Sequence, residues 1–379
     1  MIELATLRMI WWILIGILLM GFAVMDGFDF GIAALLPLVA QNEMERRIVL
    51  NTIGPIWEGN QVWIILGAGA VFAAFPIVYA VAFSGAYFAV LLLLLTMGIM
   101  RPVSFKYRSK LPNLFWRRFW DSVIFIGGFV PAILFGVLVG NILVGLPFSF
   151  DQNLRLTYSG HFIDLLNPFA LWCGLTSLMM FVMHGGLFLA IKTDDLIRER
   201  AIRWSRLAAI GVVLFFIGGG IWTHLCVTGY QVIGNIDPNG FSNPLNKTAT
   251  QTVGAWLNNY KLYPFLKYVP ILGIIGALGA CFTANFYNSR FAFLCSSASL
   301  VGIIGTVGVS MFPFILPSSL NPSMSLLIWD ASSSKLTLFT MLCATIIFLP
   351  IILLYTAWVY HVLRGKVGQA AVLANKQAY

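Results

Sequence analysis

Trp57-Glu58-Gly59-Asn60-Gln61-Val62-Trp63 places a carboxylate, two carboxamides and two indoles inside residues 48–75, a segment that otherwise reads as membrane-spanning. An ionisable group at membrane depth is costly and is tolerated where it has a partner or a water path, so the heptapeptide is a candidate functional site. Its bland alternative is a hydrogen-bonded turn at a broken helix. Asn51, Pro55, Glu58, Asn60 and Gln61 all interrupt the apolar run, and whether it crosses the bilayer decides the topology of everything after it.

The rest of the chain sets the class. Of 379 residues 59% are hydrophobic and 10% charged, where a soluble domain carries about 25% charged residues. Apolar runs near or above the ~20 residues needed to cross a bilayer recur along the whole length. They predict an all-α polytopic membrane protein, one integral membrane unit over residues 1–379, with spans at 9–39, 48–75, 77–100, 122–146, 166–191, 207–228, 262–286, 291–316 and 336–363. The first run continues past Phe22 without a small-residue cleavage site and reads as a retained span.

Loop charge orients these spans. Lys and Arg collect in cytoplasmic loops, and Arg101, Lys106, Arg108, Lys110, Arg117 and Arg118 crowd the loop after the third span. Lys192, Arg198, Arg200, Arg203 and Arg206 crowd the loop after the fifth. With nine spans and the N-terminus outside, only Arg8, Arg155, Lys247, Lys261, Lys267 and Lys335 remain on the outer side, and the C-terminus is cytoplasmic. Eight spans with an inside N-terminus distribute the charges almost as well, and the length of residues 48–75 tips the choice to nine. The +9 net charge is then a topology signal. Nucleic-acid binding would need those cations on a folded soluble face, and no soluble domain is predicted. Two long outer loops, 229–261 and 317–335, are turn-rich.

Redox ligands are not evident. Cys173, Cys226, Cys281, Cys295 and Cys343 fall within spans, form no C-x-x-C pair, and read as small buried apolar residues. His161 and His224 belong to the outer side, and only His184 with His361 could approach the single depth that a bis-His haem requires. No metal site is expected. Asp26 and Asp29, by contrast, lie three apart on one face of the first helix. At ~1.5 Å per residue they sit about 17–20 Å and 12–15 Å from its inner end, and Glu58 about 15 Å into the returning span. Counting thus puts three carboxylates in one layer, with Arg101 reaching it from the third span. The competing structural readings are a capped helix break for Asp29, snorkelling for Arg101, an N-cap for Asp121 and a solvated loop position for Asp330.

Ile10-Trp11-Trp12, Gly21-Phe22-Ala23-Val24-Met25-Asp26-Gly27-Phe28-Asp29, the Trp57–Trp63 motif, Phe83-Ser84-Gly85 and Arg101-Pro102 resemble subunit II of cytochrome bd quinol oxidase. So do Ser242-Asn243-Pro244-Leu245, Met311-Phe312-Pro313-Phe314, Trp329-Asp330-Ala331 and Leu353-Leu354-Tyr355-Thr356-Ala357-Trp358. The resemblance runs from the first span to the last. It implies two four-helix bundles plus one extra helix in a bacterial inner membrane, paired with subunit I and open to small accessory subunits. It further implies that two b-type haems, one d-type haem and the main quinol site belong to subunit I, and that this chain holds no haem, with room for a structural quinone or lipid. The implied reaction oxidises quinol, reduces dioxygen to water and draws protons from the cytoplasm. The family's proton-transfer acids fall on Glu58, Asp26 and Asp29, with Trp57, Asn60, Gln61 and Arg101 in support. Many members have His before the motif Trp, whereas this chain has Ile56. Two rival readings remain: a secondary transporter, which predicts broken helices in both halves where the sequence has one clearly polar break, and a purely structural scaffold, which predicts that substituting the buried acids leaves turnover intact.

Overall fold

The computed structural model describes residues 2–284 and 289–374. Phe286, the predicted end of the seventh span, and Lys376 lie outside the described residues. The first span is two helices, α1 (Leu4–Met25) and α2 (Gly27–Val39), broken at Asp26. There follow α3 (Glu43–Ile53), α4 (Trp57–Ala74), α5 (Pro76–Gly85) and α6 (Tyr87–Leu93), which runs through a π-helical turn at Leu94–Met100 into α7 (Arg101–Tyr107). Next come α8 (Leu114–Val144), α9 (Pro168–Lys192), α10 (Asp195–Leu225), the short α11 (Asn258–Leu262), α12 (Tyr268–Thr283), α13 (Ser289–Met311), α14 (Lys335–Val362) and α15 (Gln369–Ala374). Three two-stranded antiparallel hairpins occupy the connections: β1–β2 (Phe148–Phe150, Leu156–Tyr158), β3–β4 (Thr228–Ile233, Thr248–Val253) and β5–β6 (Phe314–Leu316, Leu326–Leu327).

Eight of the described helical segments are long and apolar enough to cross a membrane, and α4 with α5 makes a ninth only if that bent pair counts as one span. The difference from the predicted 48–75 span has a local cause. Gly54 and Pro55 stop a helix that began at Asn42, so α3 is a separate amphipathic piece carrying Glu43, Glu45, Arg46 and Arg47. What remains of the predicted span is the 18-residue α4, which passes as a crossing segment only together with α5. Pro76 then turns α5 by 117° against α4, and the third span starts at Tyr87 instead of residue 77. Three other spans begin several residues earlier than predicted, α1 at Leu4, α8 at Leu114 and α10 at Asp195, because turns carrying charged residues continue the helices beyond their apolar stretch.

The helices pack as two four-helix groups. α1–α2, α4, α6–α7 and α8 form one; α9, α10, α12 and α13 form the other; α14 leans on α1 and α4 from outside. The groups are joined where α2 wedges against α9. A Cβ on Gly31 would lie 1.8 Å from the Phe181 carbonyl oxygen, and one on Gly185 would lie 2.7 Å from the Gly31 carbonyl carbon. Small residues at these positions let two backbones meet, the packing device of helices that lack a hydrophobic drive to associate in lipid.

The basic loops share one end of the bundle, where Arg200 pairs with Glu45 and the buried Arg108 gathers Glu43 and Asp121. Burial by itself would lower the Arg108 pKa, but the two carboxylates outweigh it and hold it above its ordinary value. Asp121 is thus not an N-cap: Asn113 caps α8, and Asp121 lies inside that helix. The long loops share the other end. There the buried Arg8 donates to the Pro238 and Gly240 carbonyls and to Ser242 and Ser332, tying α1 to both loops. Asp330, expected to be solvated, is buried in this knot beside Lys247 at 2.6 Å. Burial raises its pKa, against the pull of Lys247 and Arg8.

Candidate functional site

Where α1 gives way to α2, the chain leaves Asp26 as the residue between two helices, and Asp29 falls in the first turn of α2. Both are fully buried. Arg101 reaches them from the third span and donates through Nη2 to Asp26 Oδ1 at 2.8 Å. With 1% of its side chain exposed, it does not snorkel to an interface. Its guanidinium also lies 4.5 Å from the Phe30 ring centroid and 5.8 Å from that of Trp57, whose indole stacks on Phe105. The π-helical turn delivers it: the Arg101 N–H donates to Thr96 O, five residues back, and such widened turns cluster at functional positions. Gln61 meets the same turn through the Met97 carbonyl, at 3.4 Å.

α4 contributes something other than expected. Trp57, Asn60, Trp63 and Gly67 form its buried stripe, while Glu58, Val62, Ile65, Gly69 and Phe72 form an exposed one. Two residues along an α-helix turn the side chain by about 200°. Asn60 therefore points inward and donates to Asp29 Oδ2 at 2.8 Å, while Glu58 points away from the cluster, 63% exposed and 3.2 Å from the Lys106 ammonium. The predicted convergence of four ionisable groups is corrected to Asp26, Asp29 and Arg101, with Asn60 as the contribution of the second span. Ile56 is buried beside the motif.

Tyr360 was not anticipated. Near the end of α14, its hydroxyl donates to Asn60 Oδ1 at 2.6 Å. Nothing in the sequence singles it out, since a tyrosine near a span end is expected at a membrane interface. His184 was noted only as half of a haem pair. In the fold its Nδ1 meets Ser296 at 2.7 Å, its Nε2 meets the Val24 carbonyl at 2.9 Å, and its ring stacks on Phe293. His361 is exposed next to Arg364. Both ring nitrogens of His184 are thus engaged within the protein, and it braces the carbonyl just ahead of the Asp26 break.

Arg101 Nε and Nη1 and Trp57 Nε1 are buried without a hydrogen-bond partner among the described residues, and Asp26 Oδ2 and Asp29 Oδ1 are buried without a donor, the two carboxyls lying within hydrogen-bond reach of each other. Buried polar atoms are paired with protein or ordered water in the great majority of native sites. The cluster thus keeps unused hydrogen-bonding capacity on a guanidinium and an indole N–H beside two carboxyls. Among the described residues no group of three or more His, Cys, Asp or Glu is arranged to hold a metal ion.

Fold and site together define a multi-pass helical membrane protein built around ionisable groups sealed within its helices. The family described as cytochrome bd terminal oxidase subunit II matches residues 7–363. "Probable cytochrome oxidase subunit 2" of Haemophilus influenzae is 45% identical over 378 residues, covering 100% of both chains. "Cytochrome bd-I ubiquinol oxidase subunit 2" of Escherichia coli (strain K12) is 44% identical over 375 residues, covering 99% of both. A chain of the bd oxidase structure from Geobacillus thermodenitrificans shares the fold, with a TM-score of 0.67 at 13% identity over 94% of this chain and 98% of that one. The chain belongs to the cytochrome bd terminal oxidase subunit II family and is one subunit of a terminal oxidase.

Proposed function

We propose that this chain is the haem-free subunit of a bacterial quinol oxidase and that it carries protons from the basic end of its helices toward the oxygen-reducing centre of subunit I. Its relatives' names supply the quinol and imply the partner subunit. The concentration of Arg and Lys at one end supports a cytoplasmic placement of that end in the inner membrane, with the N-terminus outside. The b-type and d-type haems are assigned to subunit I, where they supply electron transfer and oxygen binding. His184 is already committed to Ser296 and Val24.

The observation that carries the proposal is the buried cluster of two carboxyls within reach of each other beside unpaired guanidinium N–H groups. Arg101 holds Asp26 as its anionic partner, whereas Asp29 meets the neutral Asn60 and the Asp26 carboxyl itself, with no cation among the described residues bonded to it. Asp29 is then the group that takes up and gives back a proton. Glu58 lies on the opposite stripe of α4, where a partner subunit would cover it, and it hands protons across that interface. The role is a division of labour: the inward acids load, the outward acid passes on.

Glu58→Gln and Asp29→Asn, made in the complete oxidase, test this. Each keeps shape and hydrogen-bonding capacity without a carboxylate to titrate. Oxygen consumption per haem should fall at least tenfold, with haem content normal, and Glu58→Asp should be milder. Wild-type turnover and charge movement in both variants would place the proton path wholly in subunit I.

A further inference from the structure

We infer that Tyr360 is a positioning residue for the relay: its phenol sets the carboxamide of Asn60 so that the amide N–H, and not the amide carbonyl, faces Asp29. The inference rests on the reading of Asp29 as a proton-carrying group. A carboxamide presents a donor end and an acceptor end of nearly the same shape, so its orientation is decided by its partners. Asn60 is 2% exposed, and its two hydrogen bonds run in opposite directions, Tyr360 Oη to Oδ1 at 2.6 Å and Nδ2 to Asp29 Oδ2 at 2.8 Å.

A phenol is a better donor than acceptor, because its oxygen lone pair is shared with the ring. Its preferred partner is the amide carbonyl, which leaves the amide N–H2 for Asp29. That arrangement receives Asp29 as a carboxylate after it has released its proton. Without the phenol, the carbonyl of Asn60 loses its donor and the amide can turn toward a protonated Asp29, so that proton release is no longer favoured. The placement of α14 gives the contact its meaning. This helix lies outside both four-helix groups, and most of its side chains face outward. Tyr360 is the α14 side chain that hydrogen-bonds into the cluster, so the last span acts on the first through the second.

The test uses the complete oxidase, with activity counted per assembled haem. Tyr360→Phe removes one oxygen and keeps the ring. Losing one such hydrogen bond should lower turnover about two- to tenfold. The infrared carboxyl band that vanishes in Asp29→Asn should shift in Tyr360→Phe. On an Asn60→Ala background, Tyr360→Phe should have no further effect, because the amide it orients is gone. A carboxyl band unmoved in Tyr360→Phe, or effects of the two substitutions that simply add, would overturn the inference. Should Asp29→Asn turn over normally, the relay falls, while the shift of the Asp29 band still decides the positioning role. If Tyr360→Phe does not assemble, Tyr360 carrying a site-specific isotope label takes its place. Its C–O stretch should move in Asn60→Ala, and an unmoved stretch would also overturn the inference.

Discussion

Arg101 stands at the centre of the site because it is a cation that the fold cannot discharge to solvent. It is 1% exposed and touches Asp26 and the faces of Phe30 and Trp57. Breaking a buried ion pair by removing one member leaves an uncompensated charge and costs about 3–5 kcal/mol, whereas removing both costs less. Arg101→Leu should therefore reduce assembled, haem-containing oxidase sharply, and Arg101→Leu with Asp26→Leu should recover part of it. Haem absorbance per unit of membrane protein measures both; a double variant worse than the single would show that Arg101 is held by something other than Asp26. At this scale the sequence is legible where residue type alone carries the argument. Asp26, Asp29 and Arg101 stand out as ionisable groups in apolar runs, and the fold does bring them together. Glu58 and Asn60 stand out equally, but which of them faces inward depends on the helical phase of α4. A phase cannot be read from a segment whose start was placed nine residues early. Tyr360 leaves no signal of its own, since a tyrosine near a span end has a sufficient reason to be there.

Among the elements, α2 is the one that the packing cannot spare. It is buried between α8 and α9, with Gly31 against Phe181 and Gly128 against Ala33. Gly31→Ala would drive its methyl into a backbone carbonyl and force the helices apart, carrying Asp29 with them. Oxidase yield should fall several-fold, whereas Gly220→Ala, where a Cβ meets open space on α10, should leave it unchanged; equal yields would remove the close-approach argument. The other end of α2 is held by α3. Asn42 caps α3, Glu45 Oε2 accepts from the Gln41 backbone N–H and from the Arg200 guanidinium of α10 at 2.7 Å each, and Arg200 also donates to the Val39 carbonyl. Burial would raise the Glu45 pKa, but these bonds outweigh it and hold it below the ordinary value. A carboxyl whose folded pKa is depressed contributes stability that is present above its unfolded value and lost as pH falls through the folded one. The thermal stability of the purified complex should thus drop as pH falls below about 4.3, the ordinary Glu value, and Glu45→Gln should flatten that drop. An unchanged acid limb would assign it to other carboxylates. This short helix is also where span prediction went astray: hydropathy averaged over a window merges α3 with α4, and the Gly54-Pro55 stop is visible only residue by residue.

For the whole molecule, the question is which face meets the partner. Most of the surface of α10, α12 and α14 is apolar and can meet lipid. The outward stripe of α4 cannot do so throughout, because Glu58 lies on it, paired with Lys106 of α7, each more than 60% exposed in the isolated chain. A charged pair facing hydrocarbon costs several kcal/mol even after local adjustment, while the same pair against a partner's polar groups is compensated. Glu58 continues into Val62, Ile65, Gly69 and Phe72 along one face, so the surface that covers the acid should cover the apolar residues after it. A photo-crosslinking amino acid at Ile65, 65% exposed here, should capture subunit I in the assembled oxidase. The same probe at Leu214 of α10, equally exposed, serves as the comparison and should capture lipid. The prediction separates two explanations of Glu58. If Ile65 captures lipid and Leu214 captures subunit I, the acid faces the bilayer, its pairing with Lys106 is an interfacial ion pair, and proton transfer across the subunit boundary must leave this chain by another face. If Ile65 captures subunit I, the partner covers this stripe, and under the proposed relay substituting the titratable group of subunit I nearest Glu58 should reproduce the loss of turnover expected of Glu58→Gln.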